Sequence, residues 1–234
     1  MTGTERILQT RGITESLEYV FKSQILLEEA LTHKSYYHEN RGVAPSHNER
    51  LEFLGDAVFG MIIVEYLFLQ EMKYPESVLA KIKSYLVSEV VLAEVASSLQ
   101  LGKYLLLGKG EESTGGREKK SILANAMESV IGAIYLDSGY ETAKNVVLNF
   151  YRDKIDRAIE SGEFFDYKTE LQEKTQLLCG MLPEYRVIRQ QGEEHKRLFT
   201  VAVYLDGQEL GIASGRRKKE AENFAAKKAL EKIG

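Results

Sequence analysis

The sequence predicts an all-α domain followed by a small α+β module, on three observations. Apolar residues recur at helical spacing from residue 14 to about 160, with no alternating strand pattern. The chain changes character around Ser161-Gly162-Glu163. The last stretch, about seventy residues, reads as a helix, three alternating runs and a helix, an α-β-β-β-α order. The boundaries read 1–160 for the first domain, 161–165 for a linker and 166–234 for the second.

Taken in order, short amphipathic segments are expected near 14–22 and 25–35, then a long helix from 48 to about 72. Further helices are expected near 76–85, 88–99, 120–137 and 140–160. The glycine-rich stretch 108–120 reads as a mobile loop that cannot hold a helix. In the second module a helix over about 167–179 precedes runs at 185–190, 198–205 and 208–214, with Asp206-Gly207 as a tight hairpin signal. A last helix over about 217–232 carries Ala221, Phe224, Ala225, Ala229 and Leu230 on one face. No internal repeat is evident.

The charge is divided unevenly. Residues 166–234 hold 13 Lys+Arg against 11 Asp+Glu, which leaves 18 against 24 for residues 1–165, so the halves suit different partners. One cysteine, Cys179, excludes an internal disulfide framework, and His33, His38, His47 and His195 lack zinc-ligand spacing. The N-terminal residues lack a secretory apolar stretch, and the apolar run after Asp56 is broken at Glu65, short of a membrane span. A soluble protein in the reducing cytoplasm, without membrane attachment, is expected.

The segment Asn48-Glu49-Arg50-Leu51-Glu52-Phe53-Leu54-Gly55-Asp56 carries chemistry. On a helix Glu49, Glu52 and Asp56 fall within roughly 60° of one another, while Leu51, Leu54, Val58 and Ile62 form a buried stripe. Acids this close repel unless they share a cation, and a hard divalent ion takes oxygen ligands. A solvated acidic face with its own Lys or Arg partners is the alternative; the apolar continuation over 57–64 argues against it.

In the second module Arg216, Arg217, Lys218 and Lys219 open the last helix, at the positive end of its dipole. Such a cluster suits phosphate, although a solvated basic turn has the same composition. Thr169, Gln172, Glu173 and Gln176 offer an outward polar helix face, and the loop 192–196 adds His195. Helix, loop and basic helix start on one side of a small sheet suit two successive RNA minor grooves and the phosphates between them.

With these residues in view, the chain over almost its full length resembles bacterial ribonuclease III. Residues 48–56 resemble that family's signature, and residues 166–234 its double-stranded-RNA-binding domain, with Lys218-Lys219-Glu220-Ala221 matching a Lys-Lys-x-Ala pattern. The usual Gly-Pro-x-His loop stands as Gly192-Glu193-Glu194-His195, without the proline. The resemblance implies an all-α endonuclease domain, a homodimer, and hydrolysis of duplex RNA to 5′-phosphate and 3′-hydroxyl ends with short 3′ overhangs. It further implies processing of ribosomal and other structured RNA, and no small-molecule organic cofactor.

It also implies that Glu52, Asp56, Asn125 and Glu128 converge on one Mg²⁺, with Mn²⁺ a substitute, and that Asp56 and Glu128 are the residues closest to the chemistry. Glu49 and Glu76 match further acids that position substrate or face the subunit interface. No Ser, His or Cys nucleophile is required. One residue departs from the pattern: Asn125 stands where the family has Asp, and an amide oxygen ligates Mg²⁺ without charge. An active natural variant, an engineered trap and reduced catalysis all fit that residue. The rivals are therefore a catalytically impaired duplex-RNA binder and, in a third class, a metal-dependent phosphohydrolase of small nucleotides, which has no need of the basic module.

Overall fold

A computed structural model of the chain describes residues 3–42, 46–70, 74–161, 165–192 and 197–233. It divides into two compact units, Met1–Ser161 and Gly162–Gly234.

The first unit is helical: α1 (Gly3–Ser16), α2 (Gln24–Ala30), α3 (Lys34–Glu39), α4 (Glu49–Phe68), α5 (Glu76–Leu86), α6 (Glu89–Ser98), α7 (Lys109–Ser113), α8 (Lys120–Ser138) and α9 (Tyr140–Ser161). Its centre is α8, whose buried residues include Ile122, Leu123, Met127, Val130, Ile131 and Ile134. Helix α4 lies against it and buries Leu51, Val58, Phe59, Ile62 and Ile63, whereas Leu54 of the expected stripe is only half-buried.

Two glycines set the crossing of α4 and α8. A Cβ on Gly55 would overlap the carbonyl oxygen of Glu128 and lie 3.0 Å from the Gly132 nitrogen. A Cβ on Gly132 would in turn overlap the carbonyl oxygen of Leu51. The two backbones therefore touch directly, closer than any side chain permits. The start of α4 is tied in as well: the buried Asn48 donates its N–H to Thr32 O at 2.9 Å and accepts the Ser129 hydroxyl of α8 at 3.2 Å.

Three expectations need correction. The 14–22 segment leaves the helix after Ser16, because Glu18 takes a left-handed φ of 51° and the Asp137 carboxylate accepts the Lys22 and Ser23 amides at 2.8 Å each. The 25–35 segment is two helices: the backbone breaks out between them so that Leu31 and His33 bond Leu106. The stretch 108–120 is not a structureless loop. It holds α7 and a 3₁₀ turn at Gly116–Glu118. Glu111 and Glu112 in the first turn of α7 favour the helix. Arg117 donates Nε and Nη2 to the Glu112 carboxylate (2.7 and 2.6 Å) and Nη1 to the carbonyls of Gly102 and Leu105 (2.8 and 2.9 Å).

The second unit comprises α10 (Tyr167–Cys179), β1 (Glu184–Gln191), β2 (Leu198–Leu205), β3 (Gln208–Gly215) and α11 (Lys218–Ile233). The strands form one antiparallel sheet in the order β1-β2-β3. The β2–β3 hairpin turns on Asp206 and Gly207, both at positive φ (50° and 76°), the conformation a two-residue I′ turn demands. Leu171, Val201, Val203, Ala221, Ala225 and Ala229 form the core. The small alanine face lets α11 sit close on β3, where a Cβ on Gly211 would approach Ala225 O to 2.7 Å.

Candidate active site and nucleic-acid surface

The glycine crossing is what assembles the acids. Glu52 and Asp56 flank Gly55 on α4, and Glu128, whose carbonyl Gly55 touches, stands one turn after Asn125 on α8. Asn125 faces the Glu52 carboxylate and favours its charged form, which partly offsets the crowding there. The carboxyl of Glu128 is nevertheless pushed up to about 7, first by burial and then by the charges of Asp56 and Glu52. Glu52 is also raised, by burial first and then by Glu49.

The site thus holds more negative charge than its surroundings neutralise. Three carboxylates and an amide oxygen are the donor set of a hard divalent cation, so the residues present fit one. Among the described residues no three acids, histidines or cysteines stand close enough to form a ready-made cage.

Glu49 takes the other course open to it in the sequence. Its carboxylate pairs with Lys34 at 2.8 Å and lies 3.7 Å from His47 Nδ1, and the Lys34 ammonium holds it below the usual carboxylate range. Glu76 is exposed at the first position of α5, at the favourable end of that helix's dipole. Lys34, Ser129 and the Gly55/Gly132 pair went unnoticed as site-forming residues. The glycines carried a signal, since a glycine inside an apolar helix costs stability unless something approaches it closely.

In the second unit Thr169, Glu173 and Gln176 are exposed on α10 and Gln172 is half-exposed. Asp166 caps the helix by accepting Thr169 N at 3.1 Å and also accepts the Thr169 hydroxyl at 2.9 Å. Arg216, Arg217, Lys218 and Lys219 are all exposed. The backbone amides of Arg216 and Arg217 are already taken by the Glu220 carboxylate, at 2.7 and 3.3 Å, so an anion here meets side-chain cations rather than those two N–H groups. His195 lies outside the described residues.

Residues 23–155 match the Ribonuclease-III-like family and residues 167–233 the double-stranded RNA binding motif. The chain belongs to the ribonuclease III family. A ribonuclease 3 from Syntrophotalea carbinolica is 43% identical over 94% of both chains. One from Campylobacter jejuni serotype O:2 is 44% identical over 95% of this chain and 96% of that one. The solved nuclease domain of the Campylobacter jejuni enzyme, described for structural flexibility in a region involved in dimer formation, aligns with a TM-score of 0.57 at 44% identity. It covers 62% of this chain and 96% of that domain. Family membership makes the chain a double-stranded-RNA endonuclease of the hydrolase class, an all-α nuclease domain joined to an α+β RNA-binding domain. No described helix is long and apolar enough to cross a membrane.

Proposed function

We propose that the chain cuts double-stranded RNA with Mg²⁺ held by Glu52, Asp56, Asn125 and Glu128, leaving 5′-phosphate and 3′-hydroxyl ends with short 3′ overhangs, in processing ribosomal and other structured RNA in the cytoplasm. The observation that carries this reading is the uncompensated charge at the α4/α8 crossing, where Glu128 is held half-neutral near pH 7. A divalent cation bound there supplies an activated water and neutralises charge on the scissile phosphate. Asp56 and Glu128 orient the attack from opposite helices, and Glu52 and Asn125 complete the oxygen set. Mn²⁺, equally an acceptor of oxygen ligands, substitutes. Thr169, Gln172, Glu173, Gln176, His195 and the cations at 216–219 hold the duplex. End-group analysis of the fragments tests the chemistry: 3′-phosphate or cyclic termini contradict it.

A dimer belongs to the same reading. Phe53, Met61, Val64 and Phe68 form a solvent-facing apolar stripe on α4; Phe53 is 83% and Phe68 76% exposed, more than a solitary domain commonly leaves in line. The stripe adjoins the acidic face, so a second copy seated on it brings two sites to one interface, with Glu49 and Glu76 placed to position substrate. Phe53→Asp is expected to yield monomers by sedimentation; an unchanged dimer, or a monomeric parent chain, contradicts this.

Asn125 favours one second reading, a duplex-RNA binder with impaired catalysis. Asn125→Asp separates the two. The added charge is expected to lower the Mg²⁺ needed for half-maximal cleavage about tenfold. It also sets a further carboxylate against Glu52 and so destabilises the metal-free protein. An unshifted Mg²⁺ midpoint rules out Asn125 as a ligand.

A further inference from the structure

We propose that Ser35 and Glu39 are positioning residues: they clamp the backbone at Gly108 and Lys109, and so hold the segment 109–119 beside the acidic end of α4, where its cations meet the RNA backbone. This rests on the duplex-RNA reading above.

Helix α3 buries none of its six residues completely, and Tyr36 and Tyr37 are half-buried. Lys34 reaches Glu49 of α4, and Ser35 and Glu39 reach the chain at 108–109. Gly108 donates its N–H to Ser35 Oγ at 2.9 Å, and Lys109 donates its N–H to Glu39 Oε2 at 3.0 Å. His33 Nδ1 stands 2.8 Å from the Ser35 hydroxyl and fixes it. The fit is close: a Cβ on Gly108 would lie 2.5 Å from Glu39 Oε1 and 2.9 Å from its carboxyl carbon. It would also lie 2.9 Å from the Ser35 carbonyl carbon, backbone that cannot swing aside.

What is held lies next to the site. Lys34, next to Ser35 on α3, pairs with Glu49 at 2.8 Å, so one helix ties residues 108–109 to the first turn of α4. Lys119 is occupied by Glu111 and Arg117 by Glu112. Lys109 is exposed and, among the described residues, makes no ion pair, and the same holds for Lys120, which follows the segment as the first residue of α8. Two unpaired cations beside a site that handles a polyanion suit phosphate contacts.

The clamp and the chemistry are held separately. Asn125 and Glu128 are fixed by the glycine crossing and by Ser129 on Asn48, neither of which involves 108–109. Loosening the clamp therefore weakens the grip on RNA and leaves the chemical step alone. In the full-length chain Glu39→Ala, and Ser35→Ala to a smaller degree, are expected to raise KM for an RNA duplex about five- to tenfold, with kcat within about twofold. Amide hydrogen exchange over 108–113 quickens in the same variants. Glu39→Gln keeps an oxygen acceptor for the Lys109 N–H and restores both. A fall in kcat at constant KM, an unchanged KM, or a Glu39→Gln as impaired as Glu39→Ala overturns the proposal. If the unmodified chain binds duplex without cutting it, the Mg²⁺-nuclease reading fails, and the same comparison made as Kd in Mg²⁺-free buffer still decides the clamp. If it binds no duplex, both fail.

Discussion

Glu128→Gln is expected to abolish Mg²⁺-dependent cleavage, by a factor of about 10³ or more, while leaving the protein folded. A metal held by charged oxygens contributes several kcal/mol to transition-state stabilisation, and each 1.36 kcal/mol is tenfold in rate. The substitution keeps the side chain's shape and removes a charge that burial already opposes. Its effect on stability has a defined sign. The Glu128 carboxyl titrates at about 7 in the folded protein against an ordinary 4.5. Between those values the folded state carries a proton that the unfolded state has lost, so metal-free stability falls as pH rises through the window and is flat above it. Allowing for partial exposure to solvent, the fall is about 1–2 kcal/mol. Urea unfolding in EDTA at pH 5 and pH 8 measures it. In Glu128→Gln only the smaller part from Glu52, raised in the same direction, remains. Retained cleavage, or an unaltered pH dependence, contradicts the assignment.

Gly55→Ala is expected to destabilise the nuclease domain by roughly 2–4 kcal/mol, because the new methyl meets backbone that cannot swing aside. Its Cβ would fall on the Glu128 carbonyl and within 2.6 Å of that carbonyl carbon. The sign is informative, since alanine is intrinsically better than glycine in a helix by about 1 kcal/mol. Gly60→Ala, five residues along the same helix, is the control. Its Cβ meets only the Lys83 side chain at 3.8 Å, an ordinary contact, and it should be neutral or slightly stabilising. Because the displaced atom belongs to Glu128, the loss of cleavage in Gly55→Ala should exceed what the unfolded fraction explains. Equal melting temperatures for the two variants would mean that the helices do not touch at Gly55.

The comparison of sequence with structure separates what is local from what is not. The helix–strand–strand–strand–helix order of the second unit was legible because period-2 runs and the Asp206-Gly207 turn are local signals. So was the acidic face of α4, where Glu52 and Asp56 interrupt an apolar pattern. The partners of those acids were not. Lys34 neutralises Glu49 across fifteen positions, and Ser35 and Glu39 reach Gly108 and Lys109 across some seventy, distances at which periodicity carries no information. Helix α7 was missed for a related reason: its glycines argue for a loop, and what overrides them includes the hold of Ser35 and Glu39 on its start and of Arg117 on the Gly102 and Leu105 carbonyls. Asn125 could be placed on its helix from sequence, but its approach to Glu52 arises only at the α4/α8 crossing.

The most direct measurement is cleavage of a labelled RNA duplex by the full-length chain, with and without Mg²⁺, beside its Asn125→Asp variant. The expected result is that the unmodified chain cuts the duplex only when Mg²⁺ is present, spares the separated strands, and needs more Mg²⁺ than the variant. A duplex left intact by the unmodified chain in saturating Mg²⁺, yet cut by Asn125→Asp, would contradict an active enzyme and leave an RNA-binding protein with a disabled site.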